Sequence, residues 1–229
     1  MVNRFSKTDS ANIQPIEVLA DKNPCVVVDL DGTLLRGNSL HLMVCFMASK
    51  LRKRGGYGSL LQIGMLLIKR RLGLISHIRM KQPLHYMATA TLSDEDLKEF
   101  AGLLRQSLDT ALAERLDEYR RQGYYLMLAT AAPDLYLPPL AAALGFDGFI
   151  GTPLSDSPGT YRETRCERKR DLCLKMAAEE NCEIKAVATD HSDDLPLLEM
   201  LGIRRLLVAP SPHLCKYLGK RGLEFEVLP

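Results

Sequence analysis

Long apolar runs are absent from this sequence of 229 residues. Its longest strongly apolar stretch, residues 60–68, is interrupted by Gln62 and followed at once by Lys69. Such a stretch is too short for the roughly 30 Å of a bilayer core, so the sequence predicts no transmembrane helix. The first residues also lack the apolar run of roughly 7–15 residues that marks a secretory signal. We therefore expect a cytoplasmic protein.

Paired cysteine spacings are missing as well. The six cysteines include no CxxC pair and no tight framework, which argues against a zinc site and predicts reduced thiols. The 16 Gly and 12 Pro follow no fixed period, which excludes a fibrous protein. With 46% hydrophobic and 25% charged residues, the composition is that of a globular protein with one domain, or one domain carrying a large insertion.

Acidic residues are absent from one segment of the chain. Residues 36–92 contain ten Lys or Arg and no Asp or Glu, although the net charge of the whole chain is only +2. Such a change of composition is what an insertion would produce. The basic residues are not interleaved with aromatic residues, so we do not expect a nucleic-acid partner.

Short apolar runs predict five buried strands, and helical patterns separate the later ones. The strands are predicted at residues 25–28, 124–129, 148–151, 185–189 and 205–208, and the later helices at 135–144, 167–180, 195–201 and 212–221. Strands that alternate with helices indicate an α/β fold with a doubly wound, mostly parallel sheet. Residues 1–24 are polar and without pattern, and they are predicted to be a mobile leader.

The long stretch between the first two predicted strands has helical patterns only. Helices are predicted at residues 40–54, 60–71 and 76–90, followed by a long helical tract from Ser93 towards Gln122. We expect residues 36–105 to form an inserted helical unit. Residues 1–35 and 106–229 would then form the α/β core.

Polar side chains collect where the predicted strands end, which is where open α/β sheets bind ligands. Asp29 and Asp31 follow the first strand, Thr130 the second, and Asp190 and Asp194 the fourth. Taken singly, each also suits a turn or a helix cap. Together, carboxylates at the ends of adjacent strands would repel one another unless a cation held them. The pattern therefore predicts a cation site at this edge.

These residues, in this order, resemble the four motifs of the haloacid dehalogenase superfamily of phosphohydrolases. The motifs correspond to Asp29-Leu-Asp31-Gly-Thr33, to residues 126–130 ending in Thr130, to Lys169 with Arg168 and Arg170 as alternatives, and to Asp190-His-Ser-Asp-Asp194. Residues 131–136 and 151–154 look like the phosphoserine-phosphatase-like branch, which carries an α-helical cap inserted just after the first motif. The resemblance implies a Rossmann-like sheet with such a cap.

The same resemblance implies a Mg²⁺-dependent phosphomonoesterase. Asp29 would be the nucleophile that forms an aspartyl-phosphate, and Asp31 would act as general acid and base. The metal would be held by the carboxylates of Asp29 and Asp190 and by the backbone carbonyl of Asp31. Carbon–halogen cleavage has no alkoxide to protonate, so the presence of Asp31 favours phosphoryl chemistry.

The remaining motif residues would serve the phosphate. By resemblance, Thr130 would hydrogen-bond a phosphate oxygen and Lys169 would offset negative charge, while Thr33 and Asp194 would support the site. Two positions depart from the family pattern. His191 stands where a small residue is usual, and Asn38 stands where phosphoserine phosphatases carry a Glu that reads the substrate amine. Asn38 is therefore a candidate for binding the substrate, but we do not expect specificity for phosphoserine.

The sequence leaves several alternatives open. A phosphotransferase or phosphomutase would use the same aspartyl-phosphate, and a non-catalytic protein on this fold would bind anions or nucleic acid. The basic clusters at residues 52–54 and 69–71 end predicted helices, where cations favour the helix dipole. They would also suit capture of a small or amphipathic phosphate ester, or contact with an anionic membrane surface, which the sequence does not favour. The oligomeric state is open.

Overall fold

The computed structural model describes residues 22–155 and 160–229. In these residues six parallel strands form one sheet with the order β3-β2-β1-β4-β5-β6. The strands are β1 Asn23–Val28, β2 Tyr125–Pro133, β3 Gly148–Thr152, β4 Cys182–Thr189, β5 Arg204–Val208 and β6 Glu226–Leu228. The first strand in the sequence therefore lies at the centre of the sheet.

Helices connect the parallel strands. Five lie between β1 and β2, and one follows each of β2, β3, β4 and β5. They are α1 Ser39–Lys53, α2 Tyr57–Arg71, α3 His77–Thr91, α4 Asp94–Leu104, α5 Thr110–Arg121, α6 Leu137–Leu144, α7 Cys166–Glu179, α8 Leu195–Leu198 and α9 Pro212–Lys220. The predicted α/β fold with a parallel, Rossmann-like sheet is confirmed.

The central strand is buried on both of its faces, as its β-branched composition predicts. Val26 is level with Leu126 of β2 and with Ala186 of β4. Successive side chains of a strand point to opposite faces, so Val26 and Val28 enter one apolar core and Val27 enters another. Strand β1 is therefore held between two apolar cores, and the site lies at its carboxyl end.

Several element boundaries differ from the sequence prediction. Asn23 and Pro24 belong to β1 rather than to a leader, and the rest of the leader prediction lies outside the described residues except for Lys22. Strand β2 continues past Thr130 to Pro133, with an irregular register after Ala129. Strand β6 was not predicted because three residues are too short to show a period.

The predicted helical tract from Ser93 towards Gln122 continues after α4 as a 3-10 turn over Arg105–Ser107 and is interrupted before α5, so that prediction is wrong at Leu108 and Asp109. Leu108 forms an antiparallel bridge with Leu35, and the backbone N–H of Asp109 donates to the carbonyl of Leu34 at 2.9 Å. The Asp109 carboxylate then caps α5 by accepting from the N–H of Leu112 at 3.0 Å. Tertiary pairing with the chain after β1 overrides the local helix preference here.

Length and apolarity together decide whether a helix can cross a bilayer. Across residues 22–155 and 160–229, no helix reaches the combination that a membrane span requires.

Candidate active site

The carboxyl ends of the central strands bring the predicted site residues together. Asp29 directly follows β1, Asp190 directly follows β4, and Thr130 lies in β2. All three line one cavity of about 220 Å³. Asp31, Asn38, Lys169 and Asp194 line the same cavity. The parallel sheet thus places residues that are far apart in the sequence around a single space, as the strand-end pattern predicts.

Thr33 connects the carboxylates that follow β1 and β4. Its buried hydroxyl lies 2.9 Å from Asp190 Oδ1 and 3.2 Å from Asp29 Oδ2, and it accepts the backbone N–H of Asp190 at 2.9 Å. Gly32 has a φ of +84°, and a Cβ at this position would collide with the Asp190 carboxylate. The loop after β1 therefore needs Gly32 in order to pass this close to Asp190.

Lys169 occupies the first turn of α7 and is buried. Its ammonium group lies 2.7 Å from Asp29 Oδ1 and 2.8 Å from Asp194 Oδ2. The hydroxyl of Thr189 donates to the same Asp194 oxygen at 2.7 Å. Asp194 is therefore a positioning residue, because it holds the cation that contacts Asp29.

Two arginines flank Lys169 in the sequence, and neither reaches Asp29. Arg170 pairs with its neighbour Asp171 at 2.7 Å, and Arg168 is exposed at the surface. The structure thus selects Lys169 from the basic run.

The N-terminus of α1 holds the second aspartate of the loop. Asp31 Oδ1 accepts the backbone N–H of Ser39, the first residue of α1, at 2.6 Å. Asn38 caps the helix, because its side-chain oxygen accepts the N–H of His41 at 3.0 Å. The positive end of the helix dipole favours a carboxylate at this place. The start of α1 thus fixes Asp31 where it lines the cavity.

Burial raises the pKa of Asp29, Asp31 and Asp190, because each carboxylate loses hydration. The Lys169 ammonium opposes this effect at Asp29, and the N–H of Ser39 opposes it at Asp31. Burial alone would lower the pKa of Lys169, but Asp29 and Asp194 outweigh it and raise the pKa of the ammonium group. Burial therefore disfavours the ionised form of all three carboxyl groups.

The charge of the cavity suits a bound cation. Six carboxylates line it against the side chains of Lys81, Arg165 and Lys169. Neither Asp31 nor Asp190 forms an ion pair with any described residue. An anionic phosphate would enter such a cavity only if more positive charge were present.

The oxygen atoms around this space are hard ligands of the kind that Mg²⁺ prefers. Within the described residues, no three Asp, Glu, His or Cys side chains form a cluster that would hold a metal alone. The backbone carbonyl of Asp31 has no hydrogen-bond donor among those residues, so it is free to complete a set with Asp29 and Asp190. These residues fit a magnesium ion held by two carboxylates and one carbonyl.

Residues 26–199 match the family of haloacid dehalogenase-like hydrolases. The chain belongs to this family. The predicted membership is confirmed, and with it the prediction that the protein is an enzyme of the hydrolase class. No curated protein matches the chain.

Solved structures resemble this hydrolase over most of its length. A Bordetella pertussis Tohama I protein of unknown function has a TM-score of 0.69 and 21% identity, covering 89% of this chain and 98% of its own. A phospho-aspartyl intermediate analogue of phosphoserine phosphatase has a TM-score of 0.54 and 15% identity, and the match covers 90% of this chain and 92% of the phosphatase. A haloacid dehalogenase family hydrolase from Salmonella enterica serovar Typhi has a TM-score of 0.56 and 16% identity, and the match covers 86% of this chain and 66% of the Salmonella protein. At these identities the likeness shows the fold.

Sequence reasoning missed several charged residues that line the hydrolase cavity, among them Lys81, Glu163 and Arg165. Lys81 of α3 is buried, and its ammonium donates to the carbonyl of Ala131 at 2.6 Å and pairs with Glu163. Arg165 pairs with Glu163 at 3.6 Å and also with Asp193. Helix α3 therefore supplies a cation that the four motifs do not contain. The one available signal was that Lys81 shares the buried face of α3 with Leu84 and His85.

Asn38 and His191 both line the cavity, but each has its own local partner. The side-chain oxygen of Asn38 caps α1, which leaves the amide N–H₂ as the group that could donate to a ligand in the cavity. The ring of His191 is largely exposed, and its Nδ1 accepts the backbone N–H of Asp193 at 3.1 Å. His191 therefore stabilises the turn after β4.

Proposed function

We propose that this hydrolase is a Mg²⁺-dependent phosphomonoesterase that acts through an aspartyl-phosphate on Asp29. One observation carries the proposal. The carboxylate of Asp29 lies in a small cavity between the Lys169 ammonium at 2.7 Å and the Thr33 hydroxyl at 3.2 Å. Asp31 and Asp190 line the same cavity, and neither forms an ion pair with a described residue. Asp29 is thus an oriented nucleophile beside an acid, Asp31, in a cavity that has more carboxylates than cations.

Each residue then has a defined task. Asp29 attacks the phosphorus atom, an Asp29–phosphorus bond forms, and the ester oxygen leaves with a proton from Asp31. Water then attacks the phosphorus, Asp31 takes a proton from this water, and phosphate leaves as Asp29 is restored. Proton transfer by such a positioned group is typically worth roughly 10²–10⁴-fold in rate.

The chain also promotes the reaction by orienting the phosphate and by neutralising its charge. The hydroxyl of Thr130 accepts the N–H of Ala132 at 3.1 Å, so its own proton is free for a phosphate oxygen. Lys169 offsets charge on Asp29 and on the phosphate. The carboxylates of Asp29 and Asp190 and the carbonyl of Asp31 would hold Mg²⁺. The metal, when bound, would neutralise phosphate charge that the protein's own cations leave uncompensated.

The size of the cavity favours a small phosphate ester, or a larger one of which only the phosphate end enters. Its volume of about 220 Å³ is below the roughly 300–1,000 Å³ of sites for drug-sized ligands. We propose that residues 36–105 are the cap over this space, since Lys81 and Asn38 of this segment line it. The leaving group would then contact the cap.

Metal dependence provides the first test of this function. We expect the protein to hydrolyse p-nitrophenyl phosphate with Mg²⁺ and to lose activity when EDTA removes the metal. Ca²⁺ takes more oxygen ligands at longer distances, so it would compete for the Asp29 carboxylate and support at least about tenfold less turnover. Turnover that is equal with EDTA, Ca²⁺ and Mg²⁺ would exclude the proposed metal site.

L-Phosphoserine tests the role of Asn38. We expect it to be a poor substrate, because Asn38 offers no negative charge to an ammonium group and its oxygen already caps α1. The measurement is kcat/KM for a panel of metabolite phosphates, with glycerol phosphate as a comparison that lacks the amine. If L-phosphoserine surpasses every other ester of the panel by a wide margin, this reasoning is wrong.

A further inference from the structure

Helix α2 has a side without an apolar partner in the part of the chain that the structure describes. Five large apolar residues lie along this side at helical spacing, and each is at least 44% exposed: Tyr57, Leu61, Met65, Ile68 and Leu72. We name these five residues the apolar stripe. The opposite side of α2, with Ile63 and Leu66, packs on the core. A helix that is apolar all round is normally covered on every side.

The exposed apolar surface continues beyond the end of α2. Leu74 in the following turn is 67% exposed, and Ile78 at the start of α3 is 44% exposed. Ten of the fourteen exposed large hydrophobic residues in the described chain lie between residues 42 and 86. Exposed apolar side chains that are scattered singly need no explanation, whereas a concentration of this kind marks a contact surface.

Cations surround the end of this surface. We name Lys69, Arg70, Arg71 and Arg79 the basic collar; all four are exposed, and none forms an ion pair with a described residue. Two nearby cations are used differently, because Lys50 and Arg54 pair with Asp96 of α4 at 2.9 and 2.7 Å and so tie α1 to α4. The collar therefore has charge available for an outside partner.

The charge around the stripe decides between the candidate occupants. A second copy docking through the same surface would bring basic segments together, because residues 36–92 contain no acid that could pair with them. A bilayer with anionic lipids satisfies both features, since its acyl region accepts the aliphatic side chains and its headgroups accept Lys and Arg. We propose that the apolar stripe and the basic collar dock this protein on the surface of an anionic bilayer.

This surface is separate from the proposed chemistry. No residue of the stripe or the collar lines the active-site cavity. Helix α3 connects the two, since its Arg79 belongs to the collar and its Lys81 lines the cavity. The proposal goes beyond the phosphatase function, and it can be tested by binding alone.

Vesicle sedimentation with the full chain tests the docking. We expect the protein to sediment with vesicles of equimolar phosphatidylglycerol and phosphatidylcholine at least about tenfold more tightly than with phosphatidylcholine alone, and less at high salt. The collar variant Lys69→Gln/Arg70→Gln/Arg71→Gln should lose at least about tenfold of this affinity. A control with the same change of charge, Lys98→Gln/Arg121→Gln/Lys220→Gln, replaces exposed cations elsewhere and should bind as the wild type does.

A single tryptophan reports on insertion directly, because the chain has no Trp of its own. We expect the emission of Leu72→Trp to shift to shorter wavelength when anionic vesicles are added. Leu201 is 91% exposed and lies outside the stripe, so Leu201→Trp is the matched control and should not shift. Both sites are exposed, so neither variant disturbs the core.

The proposal is overturned if the wild-type protein does not bind anionic vesicles at low salt. It is also overturned if the collar variant and its charge control bind equally well, or if Leu72→Trp shifts no more than Leu201→Trp. A dimer in analytical ultracentrifugation that Leu61→Gln/Ile68→Gln converts to a monomer would assign the stripe to a second copy instead. None of these outcomes depends on phosphatase activity.

Discussion

Asp29→Asn is expected to abolish turnover and to leave the folded structure intact. The amide has almost the same volume as the carboxylate, but it is not the nucleophile that the reaction needs, so kcat should fall at least about 10³-fold. Burial raises the pKa of Asp29, so the charge costs stability, while Lys169 keeps Asp194 as a partner. We therefore expect a melting temperature equal to or above that of the wild type.

The measurements are kcat with p-nitrophenyl phosphate, the melting temperature, and the mass of acid-quenched enzyme. The phosphate adduct should be present in the wild type and absent from Asp29→Asn. Asp171→Asn is the matched control, because Asp171 is an exposed aspartate of α7 outside the cavity. Turnover of Asp29→Asn within tenfold of the wild type would remove Asp29 as the nucleophile.

The core strands could be predicted because their signal is local. A parallel strand that is buried on both faces reads as a continuous apolar run, and β1 shows this form with Val26 to Val28. The break before α5 could not be predicted in this way. It depends on the pairing of Leu108 with Leu35, and the two are distant in the sequence. Local preference decides an element only where no tertiary contact opposes it.

The motif residues could be placed in one site because parallel strands end at the same edge of a sheet. This argument reaches Asp29, Thr130 and Asp190 but not Lys81. Lys81 lies in a basic segment whose other cations are mostly exposed, and only the packing of α3 turns it towards the carbonyl of Ala131. The position of Lys81 depends on how the helices between β1 and β2 pack on the rest of the chain, which no periodicity encodes.

Lys169→Met is expected to reduce both stability and activity. Lys169 is buried between two carboxylates, so its loss leaves Asp29 and Asp194 without their cation. Breaking a buried ion pair costs about 3–5 kcal/mol, which corresponds to a melting temperature lower by roughly 6–20 °C for a chain of this size. Lys175→Met is the matched control on the same helix. Lys175 is 71% exposed and 3.7 Å from Glu179, so its removal should cost less than about 1 kcal/mol.

The effect on activity follows from the charge of Asp29. Without the ammonium at 2.7 Å, the pKa of Asp29 rises further, and a smaller fraction of the nucleophile is ionised at neutral pH. We expect kcat to fall at least about 10²-fold and the acidic limb of the kcat/KM profile to move to higher pH. A residue with only a structural role would lower stability without moving this limb.

The double variant Asp29→Asn/Lys169→Met separates the two effects. Removing the Asp29 charge relieves part of the buried repulsion with Asp194, so Asp29→Asn should stabilise Lys169→Met by more than it stabilises the wild type. It should nevertheless remain as inactive as Asp29→Asn, because the nucleophile is still missing. If Asp29→Asn instead changes the free energy of unfolding by the same amount in the wild type and in Lys169→Met, Lys169 and Asp29 are not coupled in the folded enzyme, and the ion pair is not what holds the nucleophile in place.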